Sequence, residues 1–575
     1  MDYRAAYEQW LTDEYFDEAT KDELKRLQDD EKEIEDRFYK DLEFGTGGLR
    51  GVIGAGTNRM NIYTVRRATQ GLANYILKQN AADKGAAIAY DSRYMSTEFA
   101  EETALCLAAN GIKAYVFPTL RPTPELSFAL RELGCTAGVV ITASHNPPEY
   151  NGYKVYWEDG AQITFPRDKE IIAEVRAVES FADVKTMEKE AAVASGKYIV
   201  IGEEIDNRYM EELKKQIIHP EIIKAVSKDL KIVYTPLHGT GNIPVRRILS
   251  ELGFENVYVV PEQELPDPKF TTLEYPNPED PKAFTLALEL AERVGADLVL
   301  ATDPDADRLG IYAKDSETGS FVPFTGNMSG MLIAEYILRE RSSEKTLPEN
   351  PALVKTIVTT NMADALTKAY DITLIEVLTG FKYIGEQIKL FQENNTYNYV
   401  FGLEESYGCL AGTHARDKDA VVAVMCLCEV AAWCKHQGIT VWDQMKKIYE
   451  SYGYYREGMH TITLKGMDGA QKIKNLMEGI RSNPPKAFGD LSVLKIRDYQ
   501  IDKCTDLITG EESLTGLPQS NVLYFELEND SWCCARPSGT EPKIKFYMGV
   551  KGDSLEDSQE KLDSLKAAVI ASFAD

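Results

Sequence analysis

The sequence predicts three tandem doubly wound α/β domains followed by a smaller C-terminal α+β domain. Three observations carry that prediction. The chain has 575 residues, enough for three or four domains of ordinary size. From Lys84 onward, short apolar runs rich in β-formers alternate with helical stretches, the pattern of parallel sheets covered on both faces. After about residue 455 strands follow one another directly and an amphipathic helix closes the chain.

Residues 1–43 hold sixteen acidic and seven basic side chains. Trp10, Leu11, Tyr15, Phe16, Leu24, Leu27, Ile34 and Phe38 recur at helical intervals, so this stretch reads as one or two acidic surface helices packed on the outside of the first α/β unit. That unit runs Ala86–Tyr90, a helix near 97–109, Ala114–Phe117, a helix near 124–132, and Gly138–Thr142. Lys231–Tyr234 and Asp297–Ala301 bracket helical segments in the second unit, and Ala352–Thr359 and Tyr397–Phe401 do so in the third. Ala420 to Cys434 is apolar but interrupted by Glu429 and too short to span a membrane, so it reads as a buried helix. The last unit carries strands Val522–Glu528, Trp532–Ala535 and Ile544–Val550 and a helix from Leu555 to Phe573. The expected domains are 1–205, 206–325, 326–455 and 456–575.

Charge excludes some function classes. With 64 Lys+Arg against 91 Asp+Glu, the net charge is −27, which repels nucleic acid and anionic membrane. Nine cysteines without framework spacing suit a reducing cytoplasm, and the N-terminal segment lacks the basic and apolar regions of a signal peptide. Cys426, Cys428, Cys434, Cys533 and Cys534 read as core, and His219, His436 and His460 as histidines without polar company.

In each α/β unit one strand ends in an unusual polar loop, and strand carboxyl ends are where open α/β sheets bind ligands. Asp303, Asp305 and Asp307 alternate with Pro304 and Ala306. Three such carboxylates repel one another unless a hard cation neutralises them, the alternative being a solvated acidic turn. Arg308 behind them suits an anionic partner. Ser144, between a strand and His145-Asn146-Pro147, is either an exposed nucleophile or a turn serine capping the next helix. No G-x-S-x-G elbow is present, and the adjacent Ser144 and His145 are not expected to aim at each other. Lys154 lies near enough along the chain to serve the same pocket. Arg536-Pro537-Ser538-Gly539-Thr540-Glu541-Pro542-Lys543 reads as a phosphate-wrapping loop or as a plain hairpin turn. Phe44 to Gly51 is Gly-rich but lacks G-x-G-x-x-G, so no dinucleotide site is expected.

Together these loops resemble the α-D-phosphohexomutase family, the phosphoglucomutases and phosphomannomutases, over essentially all of the chain after residue 40. Four motifs stand in family order: Thr142-Ala143-Ser144-His145-Asn146-Pro147, Asp303-Pro304-Asp305-Ala306-Asp307-Arg308, Glu404-Glu405-Ser406, and Arg536-Pro537-Ser538-Gly539-Thr540-Glu541. The resemblance implies domains arranged around a central cleft and Ser144 carried as phosphoserine. It implies Mg²⁺ held by Ser144, Asp303, Asp305 and Asp307, and interconversion of a sugar 1-phosphate and 6-phosphate through a bisphosphate, glucose 1,6-bisphosphate where glucose is the sugar. His145 and Lys154 match positions of acid–base work, and Arg50, Asp91 and Arg93 match supports of the Ser144 loop. Glu404 and Ser406 match sugar contacts. Thr379, Gly380, Lys382, His414, Arg416 and Lys418 match stretches around the sugar and its phosphate, and Arg536, Ser538, Gly539, Thr540 and Lys543 match the second phosphate cradle. Gly47, Pro304, Ala306 and the acidic extension depart from the commonest pattern and resemble the branch holding α-phosphoglucomutases and phosphopentomutase-type enzymes.

The expected activity is phosphoglucomutase, against phosphomannomutase or phosphopentomutase, a metal-dependent sugar phosphatase, or a non-catalytic sugar-phosphate sensor. The expected partners are small sugar phosphates, with no nucleic acid and no membrane, for a monomer or dimer. The clustering of basic residues in these motifs predicts a cationic cleft inside an acidic shell.

Overall fold

The computed structural model describes residues 2–45, 47–464, 466–538 and 542–573, and counts of elements refer to those residues. It contains four sheets. The first has six strands, in which Ala137–Ile141, Ala86–Tyr90, Ala114–Val116 and Tyr198–Val200 run parallel, while Tyr150–Trp157 and Gly48–Val52 add an antiparallel edge. The Gly-rich stretch is therefore partly strand rather than only loop. Gly48 is required there, because with φ 143° its Cβ would stand 1.8 Å from the carbonyl oxygen of Tyr153.

The second sheet is centred on Leu298–Thr302, with Lys231–Thr235 and then Asn256–Val259 parallel on one side and Leu309–Lys314 and Phe321–Phe324 antiparallel on the other. The third orders Thr373–Val377, Pro351–Thr356, Asn398–Glu404 and Gly408–Ala411. The fourth is antiparallel, with Tyr454–Thr463, Lys543–Gly552, Trp532–Pro537 and Leu523–Leu527 side by side under the helix Leu555–Phe573. Of the expected domain limits, 205 falls inside the helix Glu203–Lys214, 325 caps the helix Gly326–Ser343, and 455 falls inside the strand Tyr454–Thr463.

The first three sheets share one apolar core. A single buried cluster joins Ala87 and Val140 of the first sheet, Ile232 and Leu298 of the second, and Leu353 and Phe401 of the third. It takes in the helix Ala420–His436, whose Cys426, Cys428 and Cys434 are buried. That helix and Val441–Tyr452 are bent by 92° to each other, and no single helix among the described residues is long and apolar enough to cross a membrane. Helix Leu555–Phe573 covers a separate core of its own sheet, around Phe525, Phe546 and Val569.

The acidic extension forms the helices Tyr3–Thr12, Glu18–Lys25 and Glu31–Phe38, one more than expected. Asp2, Asp17 and Asp30 cap their N-termini with carboxylate oxygens. Their apolar faces close around Trp10, Phe16, Leu24, Ile34 and Phe38 against Tyr63 and Phe181 of the first domain. His219 differs from expectation too: its ring bonds Glu221 at 3.0 Å and Glu340 at 2.9 Å, and these carboxylates outweigh burial and raise its pKa.

Candidate active site

A cleft of about 1180 Å³ runs between the four sheets, lined by Arg50, His145, Lys154, Arg308, Thr379, Gly380, Glu404, Ser406, Arg536 and Lys543 among others. Ser144 is buried beside the cleft-lining Thr142 and His145, three residues after the end of the strand Ala137–Ile141. Its backbone takes φ 52°, the left-handed region, and its N–H donates to Thr142 Oγ1 at 2.8 Å. That twist is what sequence reasoning missed. It turns neighbouring side chains into one pocket, so that Ser144 Oγ lies 3.2 Å from His145 Nδ1.

Arg93 fixes this loop from beneath. Its guanidinium donates to the carbonyl oxygens of Ser144 at 2.6 Å, Pro147 at 2.8 Å and Tyr150 at 3.0 Å, and also to that of Asn146. Asp91 stands behind it at 3.4 Å, itself accepting from Thr142 Oγ1 at 2.6 Å and Ser96 Oγ at 2.8 Å. Arg50 reaches the same loop from the edge strand, donating to Asn146 Oδ1 at 3.4 Å.

The carboxylates of Asp303, Asp305 and Asp307 follow the strand Leu298–Thr302 and offer oxygens within 4.8 Å of one another. Ser144 Oγ donates to Asp303 Oδ2 at 2.7 Å, which joins the first sheet's serine to the second sheet's acidic loop. Asp305 Oδ2 accepts from Lys154 Nζ and from Thr123 Oγ1, each at 2.8 Å, and Lys418 Nζ stands 3.1 Å from Asp307. Burial and the two neighbouring carboxylates raise the Asp303 pKa, whereas Lys154 holds that of Asp305 low despite burial. Asp305 Oδ1 and Asp307 Oδ1 are buried without a hydrogen-bond donor. An all-oxygen set with two such orphaned atoms fits a hard divalent cation.

Burial and the nearby guanidinia of Arg308 and Arg50 lower the His145 pKa, leaving a neutral imidazole at physiological pH. Lys154 is the reverse: Asp305 and Asp307 outweigh its burial and keep the ammonium charged. Glu404 ends the strand Asn398–Glu404, and burial pushes its carboxyl up to about 7 although Lys418 Nζ is 3.8 Å away. Thr379 Oγ1 is buried with no hydrogen-bond partner beside Gly380, whose φ of 120° starts the helix Phe381–Asn394.

On the far wall Arg536 pairs in register with Lys545, and Ser538 N–H donates to the carbonyl of Lys543 at 2.8 Å. Lys382 lies beneath, within the electrostatic reach of Arg536 and Asp168. Gly539 and Thr540 lie outside the described residues.

Two expected substrate contacts are turned away. His414 Nε2 bonds Asp419 Oδ2 at 2.7 Å, beside Tyr209 Oη, and is buried. Arg416 donates to Gln392 Oε1 at 2.7 Å and to the carbonyls of Thr413 and Ala415, so its charge builds its own loop. Neither is among the residues that line the cleft, and of the other expected substrate contacts Lys382, Lys418 and Ser538 are not among them either. Nor is the cleft purely cationic, since Glu43, Glu279, Glu404, Glu405 and Glu457 line it as well. Sequence reasoning also missed Lys545 and Tyr547, which alternate with the apolar Ile544 and Phe546 on one strand and so face the cleft.

Comparison with known proteins adds three findings. The family descriptions phosphoglucomutase/phosphomannomutase, alpha/beta/alpha domains I, II and III, match residues 41–182, 207–318 and 325–452. A phosphoglucomutase of Staphylococcus saprophyticus is 35% identical over 534 residues, 93% of this chain and 95% of the relative, and one of Staphylococcus aureus is 36% identical over 545 residues, 94% and 96% respectively. In fold, the chain is similar to the open form of the phosphoglucomutase parafusin from Paramecium, with a TM-score of 0.66 and 19% identity over 93% of this chain and 96% of that one. It is likewise similar to a phosphoglucomutase/phosphomannomutase family protein from Burkholderia thailandensis, with a TM-score of 0.62 and 19% identity over 92% and 97%.

Proposed function

The chain belongs to the phosphoglucomutase/phosphomannomutase family, and from that premise we propose that it interconverts α-D-glucose 1-phosphate and glucose 6-phosphate through phosphorylated Ser144 and glucose 1,6-bisphosphate. It is an enzyme, an isomerase of phosphohexomutase type. The observation that carries the reading is the bond from Ser144 Oγ to Asp303, buried beside a cleft that His145 and Lys154 line together with Arg536, Lys543 and Lys545 of the fourth sheet.

A group transferred at Ser144 has a second anionic end, and that end needs a cradle. Arg536, Ser538, Lys543 and Lys545 supply it, and Gly539 and Thr540 belong to the same sequence motif. In the first half-reaction the Ser144 O–P bond breaks while a bond forms from phosphorus to the free sugar hydroxyl, whose proton passes to neutral His145. In the second, the bisphosphate lies end for end: the bond from its other phosphoryl to the sugar oxygen breaks while phosphorus bonds to Ser144 Oγ, the serine proton passing back to the Lys154 amine and the His145 imidazolium giving its proton to the departing sugar oxygen. Lys154 and Arg308 place fixed positive charge at the transferring group, and Lys154 is charged enough to donate a proton to the departing oxygen. When bound at Ser144, Asp303, Asp305 and Asp307, Mg²⁺ supplies further charge neutralisation for the phosphoryl oxygens. Glu404 and Ser406, in the cleft lining with Thr379 and Gly380, accept and donate hydrogen bonds to sugar hydroxyls in either orientation, and Lys418 stands behind Glu404 at 3.8 Å. The same reading carries small sugar phosphates as partners, a cytoplasmic location suited to nine free cysteines, and action as a monomer or dimer.

Side-by-side turnover of glucose, mannose and ribose 1-phosphates, with the matching bisphosphate and Mg²⁺, tests the substrate. Faster turnover of mannose or ribose 1-phosphate would assign the chain to a phosphomannomutase or phosphopentomutase role, and net phosphate release without isomerisation to a phosphatase role.

Glu404 gives this reading a pH signature. With its carboxyl at about 7, lowering pH from 8 to 6 converts an anionic acceptor of sugar hydroxyls into a neutral acid. KM for glucose 1-phosphate is expected to rise about tenfold over that interval beyond the change caused by the substrate's own titration. Glu404→Gln should show the substrate's titration alone, and identical pH profiles for the two proteins would refute the role.

A further inference from the structure

Glu279 places a carboxylate in a cleft that takes anions, and its position is fixed by the backbone. Its N–H donates to Asn277 Oδ1 at 3.1 Å, and the Asp280 N–H donates to the Asn277 carbonyl at 3.0 Å. The loop is pressed onto the strand Leu309–Lys314, where a Cβ on Gly310 would stand 2.5 Å from the Pro278 carbonyl oxygen. Glycine at 310 thus lets Glu279 reach Arg308. The Glu279 carboxylate accepts a hydrogen bond from the Arg308 guanidinium, with its side chain 31% exposed to the cleft. Among the charges acting on Arg308, Glu279 ranks ahead of Asp307 and Asp303. It is also the leading negative charge felt by Lys545, on the opposite wall beside Arg536.

A carboxylate is the side-chain group closest to phosphate in charge and in its match to a guanidinium fork. Its presence among the cations of a phosphate cleft therefore costs ligand affinity, unless it performs a selection. We propose that Glu279 is a charge gate, a specificity-determining residue that occupies Arg308 in the ligand-free cleft and yields it only to a phosphate ester carrying two negative charges. A dianion gains more from Arg308 and Lys545 together than one carboxylate loses, whereas singly charged anions do not. The inference rests on the phosphohexomutase reading of the cleft but concerns a residue outside its four motifs.

The test is calorimetric titration of the full-length protein with inorganic phosphate, which involves no sugar chemistry. Glu279→Gln keeps the shape and an acceptor oxygen for Arg308 while removing the charge. It is expected to bind phosphate about tenfold more tightly than the parent and to lower KM for glucose 1-phosphate without raising kcat. The nearby surface variant Glu274→Gln, whose side chain pairs with Lys282 outside the cleft, should bind as the parent does. Equal or weaker binding by Glu279→Gln, or an equal gain in Glu274→Gln, overturns the gate. Should Glu279→Gln fail to fold, Glu279→Asp is expected to gain about threefold through a shorter reach to Arg308, and no gain overturns the proposal. Absence of phosphate binding in parent and variant alike overturns the anion-cleft reading itself.

Discussion

Ser144→Ala is expected to lower turnover of glucose 1-phosphate by about 10⁴-fold or more while leaving the fold intact. The size follows from the covalent role: without Oγ no phosphoenzyme forms, and the surrounding charges can then only bind substrate. The fold should survive because the loop is held through carbonyl oxygens, by Arg93, and through the Ser144 N–H, all of which alanine keeps. Alanine keeps the same Cβ at φ 52° but leaves the buried Asp303 Oδ2 without its donor, so a small fall in Tm is expected alongside the loss of activity. Steady-state kinetics in the presence of bisphosphate, with mass measurement of the peptide containing residue 144, checks both. A variant retaining even a hundredth of parent turnover would sink the phosphoserine mechanism.

Asp305→Asn carries the second-largest expected effect. The substitution keeps an acceptor for Thr123 Oγ1 but removes one of three anionic charges, and it leaves Lys154 without its closest counter-charge. Turnover is expected to fall about 10³-fold, the combined loss of metal affinity and phosphoryl stabilisation. A readout independent of activity accompanies it. Millimolar Mg²⁺ should raise the Tm of the parent protein by binding only the folded state, and should leave that of Asp305→Asn unmoved. Treating the parent with a chelator should remove its activity, and Mg²⁺ should restore it. Equal Mg²⁺-dependent shifts in both proteins would remove Asp305 from the cation site.

Much of this site was legible because its chemistry is written in contiguous runs at strand ends. Ser144, the Asp303–Asp307 loop, Glu404 and Arg536 each sit where an apolar strand stops, and there a short motif fixes both place and direction. The acidic loop is the clearest case, since alternate carboxylates after a buried strand must converge. What could not be read was direction inside a loop. His414 and Arg416 lie close in sequence to Lys418, yet Lys418 turns toward Asp307 whereas the other two bond Asp419 and Gln392. Backbone twist hid the meeting of Ser144 and His145. Partners from distant sequence hid Glu279 and Lys545, whose significance arises only where the second and fourth sheets face each other.

The fold shows the same division. Strands such as Ala86–Tyr90 and the helix Leu555–Phe573 announce themselves by local pattern. Gly48–Val52 does not, because Gly48 is there to let Tyr153 approach and Gly51 to make room for Leu42, and such glycines carry no strand pattern. His219 was misread for a related reason, as its carboxylate Glu340 lies over a hundred residues away.

The shared core has a consequence for how the molecule comes into being. Residues as far apart as Ala87 and Tyr455 belong to one buried cluster, and side chains of the first two domains wait on partners made much later: Thr123 on Asp305, Tyr156 on Asp417, Tyr209 on Asp419, Arg131 on the carbonyls of Thr413 and His414. A chain emerging from the ribosome therefore exposes a long apolar surface and unsatisfied tyrosine and arginine groups until roughly three-quarters of it has been synthesised. The Ser144–Asp303 juxtaposition waits on the second domain, so until just over half of the chain has been made a nascent intermediate has a serine loop with no acidic partner.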